Sequence, residues 1–96
     1  MKFWFHDMGT VEADVVLEIT SDRAATAKVM DEENYEKYKN RQLHSCIMEQ
    51  MDDTMRKVRL PRTAHWYVVM ETTDDQATIN SQVIIRQSGR FAETSA

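Results

Sequence analysis

Glycine and proline are scarce: Gly9, Gly89 and Pro61 are the only ones in 96 residues. With two isolated glycines there is no Gly-x-Gly-x-x-Gly turn, no phosphate loop and no Gly-x-Ser-x-Gly elbow, so glycine-built phosphate cradles and nucleophile elbows are excluded. A single cysteine, Cys46, excludes an internal disulfide framework and fits a reducing, cytoplasmic setting. No apolar run approaches the roughly 20 residues that cross a bilayer. The early Lys2-Phe3-Trp4-Phe5 run is shorter than the about 7–15 apolar residues of a secretory signal. A soluble domain with no membrane association and no bound cofactor is the expectation.

What is present is enough for one core. Hydrophobic residues make up 42% of the chain, and 12 Lys and Arg against 16 Asp and Glu leave a net charge of −4. That balance argues against a general nucleic-acid binder, which usually carries a positive field. A chain of this length is one small domain with a thin stability margin, for which association with a second copy is an ordinary remedy.

Lys2 to His6 is short and aromatic and reads as a strand, with Asp7-Met8-Gly9 as the turn after it. From Val11 to Thr20, Val11, Ala13, Val15, Leu17 and Ile19 alternate with polar neighbours, the period of a half-buried strand. Ser21-Asp22-Arg23 reads as a turn, and Ala25, Ala27 and Val29 as a third strand.

Residues 31–40 change character. Asp31 suits an N-cap, Glu32 and Glu33 suit the positive end of a helix, and Lys37, Lys39 and Arg41 suit the negative end. Glu33 and Lys37 make an i, i+4 pair, Met30 can staple onto Tyr35, and Tyr35 and Tyr38 share the face that packs down. In the next stretch, Ile47, Met51, Met55 and Val58 have helical spacing, so propensity alone predicts a second helix over about 43–57. Val58-Arg59-Leu60 alternates as a strand that Pro61 ends.

Ala64 to Glu71 carries five successive apolar side chains before the glutamate and reads as a central strand covered on both faces. Ala77 to Gln87 is the last predicted strand. Residues 88–96 are small and polar around Phe91 and are expected to form a tail beyond a single domain over 1–87.

Three stretches together carry a resemblance: Val29-Met30-Asp31 with Asn34-Tyr35 and Tyr38, then Val58-Arg59-Leu60-Pro61, then His65-Trp66-Tyr67-Val68-Val69. In this order the chain resembles the bacterial DUF1883 family, small domains of unknown function sometimes found beside TIR signalling domains. The resemblance implies an all-β barrel or sandwich with little helix, and no chemistry. Cys46 to Met51 stands where relatives often have glycines and aromatics, which leaves strand and helix both open there. The expected fold class is therefore all-β, a partly open barrel or sandwich of about six mainly antiparallel strands with one short helix near 31–40.

Several groups of residues could carry function. Arg56, Lys57, Arg59 and Arg62 form a basic run with no acid between Thr54 and Met70, and Trp66 and Tyr67 follow. Arginines beside exposed aromatics offer charge for phosphate and a flat face for stacking. Trp66 and Tyr67 must point to opposite faces of a strand, so only one can join the arginines. The plainer reading is a solvated edge strand guarded by its cations.

His44 and Cys46 would share a face if extended; His6 or His65 could join them as metal ligands, and His65 could join them in a cysteine-dependent catalytic set. Structural zinc needs about four ligands, and no second close pair is present. His6 reads as the exposed end of the first strand. Met48, Met51 and Met55 fit either core or an adaptable contact surface.

The leading expectation is a non-enzymatic binding or interaction module, such as a sensor or adaptor unit, using Arg56, Lys57, Arg59, Arg62, Trp66 and Tyr67. Its partner is an unidentified protein or small ligand, with nucleic acid the weaker option and a homo-oligomer a further one. The alternative is a small metal- or cysteine-dependent enzyme using His44, Cys46 and His65.

Overall fold

The computed structural model describes residues 2–74 and 76–86. In chain order these form β1 (Lys2–Val11), β2 (Val16–Asp31), α1 (Glu32–Lys39), β3 (Met48–Arg59), β4 (Ala64–Thr72) and β5 (Ser81–Arg86). All pairings are antiparallel. The sheet is organised around β2. One edge of β2 pairs with β3 along nearly its whole length, from Val16 opposite Arg59 to Val29 opposite Met48. The other edge is shared: Val16 to Ser21 pair with β5, and Thr26 to Asp31 pair with β4. β1 lies outside β4.

The all-β, mainly antiparallel, open architecture with one short helix holds. Because the two halves of β2 pair with different strands, they act as two, which is why a six-strand reading suits the sheet.

The halves of β2 join at a bend, not at the predicted turn over Ser21-Asp22-Arg23. Register with β3 shifts between Thr20, opposite Met55, and Ala25, opposite Asp53, so the strand continues with residues bulged out. Arg56 braces this bend from inside. Its guanidinium donates to Ser21 Oγ at 3.3 Å and to the carbonyl of Ala25, and the residue is 3% exposed. Outside, the Asp22 carboxylate accepts from the backbone and side-chain amides of Asn80, both at 3.0 Å. This pins 77–80 as an irregular approach to β5, so the last strand begins at Ser81 and not at Ala77.

Asp7-Met8-Gly9 is likewise a bulge within β1 and not a turn: register shifts there, and the strand continues to Val11 opposite Ala64. Gly9 sits at φ +68°, with its N–H donating to Asp7 Oδ1 at 2.9 Å. That left-handed conformation suits glycine, which lies opposite Trp66 with Met8 as the extra residue.

The largest correction concerns 43–57, which contains no helix. Residues 48–59 form β3. The methionine spacing lost to the requirement of β2 for a partner, since an unpaired edge would leave a row of backbone amides and carbonyls without bonds. Met55 is exposed, Met48 packs against the core, and the side chain of Met51 lies outside the described residues. The predicted tail over 88–96 also lies outside them.

Alternation gives the sheet two apolar faces. One buries Leu17, Ile19, Ala25, Ala27, Val29, Trp66, Val68 and Met70 with Leu60 and Ile79. The other carries Met30, Tyr67 and Val69, and α1 lies across it through Tyr35 and Tyr38. Both faces of β4 are therefore covered, as its unbroken apolar run predicts.

Candidate functional site

The helix is held as its sequence predicts. Asp31 caps it, its carboxylate accepting from the Asn34 amide at 3.0 Å, and Lys37 reaches Glu33 at 3.5 Å. Burial pushes the Asp31 carboxyl up, but the bonds from Asn34 and the charge of Arg62 outweigh it and hold the group below its ordinary value. Met30 and Tyr35 meet in one cluster, the staple expected from their spacing.

The C-terminal end is less ordinary. The Gln42 amide donates to the Lys37 carbonyl at 2.8 Å and the Arg41 amide to the Tyr38 carbonyl at 3.1 Å. This pair of bonds defines a Schellman cap, and its left-handed position is normally glycine. Here it is Arg41, at φ 58°.

On the sheet face below α1, aromatic rings run from β1 to the helix. Tyr35 stacks on Tyr67 with centroids 3.9 Å apart, Phe5 lies 5.4 Å from Tyr35, and Phe3 meets Tyr38 edge-on at 5.2 Å. Tyr38 is fixed from several sides. Its hydroxyl donates to the buried Glu71, Lys28 Nζ lies 5.4 Å from its ring centre, and His44 packs edge-on at 5.1 Å. Lys28 also pairs with Glu71 at 3.3 Å. Burial first, and then the bond and charge of Glu71, raise the Tyr38 hydroxyl far above its ordinary value, so it stays a neutral donor.

The rings of Phe3 and Phe5 are not covered; they remain 41% and 53% exposed. Between Phe3, Tyr38, Lys39 and Arg41 opens a cleft of about 450 Å³, within the range of small-molecule sites. The hydrogen bond to Glu36, at 3.1 Å, raises the Lys39 ammonium above its ordinary value, and the ammonium lies 5.0 Å from the Tyr35 ring centre. Arg41 is exposed and lines the same cleft.

The structure distributes the basic run over three environments. Arg56 is buried at the β2 bend. Lys57 and Arg59 are exposed on β3, with Lys57 Nζ 3.9 Å from Glu18, which Arg86 holds more closely at 2.7 Å. Arg62 pairs with Asp31, lies 5.1 Å over the Trp66 ring, and its carbonyl accepts from Trp66 Nε1 at 3.2 Å. Trp66 is fully buried on one face of β4 and Tyr67 is buried on the other. The six residues therefore share no continuous surface.

His44, Cys46 and His65 are likewise dispersed over different neighbours. His44 rests on Tyr38, and Cys46 packs at the edge of the cluster under α1. His65 stacks on Tyr67 at 4.9 Å, with Nε2 2.6 Å from Asp7 Oδ1 and Nδ1 3.2 Å from Glu32 Oε2. Burial and the nearby Glu49 raise the Cys46 thiol above its ordinary value, the opposite of what activates a nucleophile. Among the described residues, no three His, Cys, Asp or Glu side chains converge as a metal site would require.

His6, read as an exposed strand end, is half-buried: its Nε2 lies 2.8 Å from Ser81 Oγ, joining β1 to β5 across the open side of the sheet. A smaller cavity of about 140 Å³ lies beside Asp31, Asn34, Cys46 and Arg62. Its polar side chains are already engaged with one another or with the Ser45 amide.

In the sequence Phe3 reads as strand, Tyr38 as the packed helix face, and Lys39 and Arg41 as partners of the helix dipole. The overlooked signal is Arg41 itself, a charged residue just past the helix end, where glycine or asparagine is usual.

No curated protein and no solved structure matches the chain. The family model of the domain of unknown function DUF1883 matches residues 1–88, in agreement with the three stretches that carried the resemblance, and the chain belongs to that family.

Proposed function

We propose that this domain is a non-enzymatic binding module whose contact surface is the face formed by β1 and the C-terminal end of α1. The observation that carries this reading is the cleft of about 450 Å³ where exposed Phe3 meets Tyr38, Lys39 and Arg41. Exposed aromatic rings beside cations, on a frame held by paired strands and buried ion pairs, suit recognition. Catalysis would need a nucleophile and base converging in one pocket, and His44, Cys46 and His65 each have separate partners.

The test is a thermal-shift screen against nucleotides, sugars, metals, short nucleic acids and peptides. A ligand present at about 100 times its Kd adds roughly 2.7 kcal/mol, several degrees for a domain of this size. The reading requires that such a shift disappear when Phe3→Ser and Arg41→Asn are combined. A shift that survives both changes, or chemical turnover of the ligand, contradicts it.

A further inference from the structure

Resting on the binding-module reading, we infer that the β1–α1 cleft takes a small planar anion of the nucleoside monophosphate class, its ring against Phe3 and Tyr38 and its phosphate on Arg41 and Lys39. The wall is apolar and rigid: Tyr38 is immobilised by Glu71, Lys28 and His44, and Phe3 sits edge-on to it, leaving much of its own surface open. The two rings stand at 83° to each other, so a base stacks on Phe3 and meets Tyr38 with its edge.

The charge is placed at the rim by Arg41. Its left-handed backbone disfavours any residue with a Cβ other than asparagine or aspartate, yet the site carries a guanidinium there. A helix C-terminus by itself repels anions. In α1 the carbonyls of Glu36, Lys37 and Tyr38 are already bonded by the amides of Asn40, Gln42 and Arg41, which mutes that end; Arg41 and Lys39 line the cleft, Lys39 with its ammonium shared with Glu36.

A free mononucleotide fits better than a strand. Single-stranded nucleic acid needs a track of cations along its backbone. Here the net charge is −4, and Glu33 and Glu36 on the helix are exposed.

The experiment is amide chemical-shift mapping of the full chain titrated with AMP, adenosine, inorganic phosphate and a short oligonucleotide. AMP is expected to move the amides of Phe3, Tyr38, Lys39 and Arg41 saturably. Adenosine should bind well over tenfold more weakly, as loss of the phosphate's contacts to both Arg41 and Lys39 implies. Arg41→Asn, which tolerates the left-handed backbone and removes one of the two, should weaken AMP about tenfold and leave adenosine unchanged. Phe3→Leu, which keeps apolar volume without the ring, should weaken both.

Unmoved amides at about 10 mM AMP (which would mean a site weaker than roughly −3 kcal/mol), equal affinity for AMP and adenosine, or an oligonucleotide binding where AMP does not, would each overturn the mononucleotide assignment. If AMP fails while another screened compound moves the same four amides, that assignment falls and the binding-module reading stands.

Discussion

The ring of Tyr35 lies nearly parallel to that of Tyr67, planes 10° apart and centroids at 3.9 Å, and this stack seats α1 on the sheet. Tyr35 is 3% exposed, so its truncation empties the space between helix and β4. Tyr35→Ala is expected to cost about 3–5 kcal/mol, the range for buried aromatics. Tyr35→Leu should lose much less, and a double-mutant cycle with Tyr67→Leu should return a coupling of about 0.5–1.5 kcal/mol. Urea denaturation measures both, and an additive cycle would show that the stack contributes only buried area.

Arg56 anchors the bend of β2 through Ser21 and the carbonyl of Ala25. Arg56→Met keeps the apolar stem and deletes the guanidinium, stranding the acceptor carbonyl. The expected loss is about 2–3 kcal/mol of unfolding free energy, read as a lower urea midpoint at unchanged m, as for hydrogen bonds to charged groups. A neutral outcome would mean that register with β3 holds the bend unaided.

Burial depresses the pKa of His6 below its ordinary 6.5. The unfolded chain then takes up a proton at higher pH than the folded one. Stability from this group is complete above pH 6.5 and falls as pH drops from 6.5 toward the lowered folded value. Unfolding free energies measured from pH 7.5 down to about 5.5 should decline, and His6→Gln should remove that part of the slope. An unchanged slope in His6→Gln would assign it to other groups.

Much of this architecture was legible before the structure. Asp31, Glu33, Lys37 and the Met30–Tyr35 spacing define α1 locally, and local signals survive folding. The apolar run Tyr67 to Met70 announced a strand covered twice, because only a central strand hides both of its faces. What escaped was set at long range. Residues 48–59 carry helical spacing, but the free edge of β2 recruited them. Asp7-Met8-Gly9 and Ser21-Asp22-Arg23 have turn composition, yet partners on β4, β3 and at Asn80 hold them as bulges. The basic run failed as a surface for a similar reason. Arg56 and Lys57 are neighbours in sequence and opposite in direction, so strand geometry sent one into the core. The cleft at Phe3 and Arg41 joins residues nearly forty positions apart, and no spacing rule connects them.

Arg41 offers the most direct test of the account, because its backbone and its side chain make opposite demands. Arg41→Gly relieves the left-handed conformation and should stabilise the domain by about 0.5–1 kcal/mol, raising Tm by about 2–8 °C. The same change removes the guanidinium from the cleft and should weaken AMP at least about tenfold. Melting temperature and AMP affinity of this one variant, measured side by side, decide the matter. A more stable protein that has lost the ligand is the expected result; a variant that binds AMP as the parent does contradicts a phosphate site at Arg41.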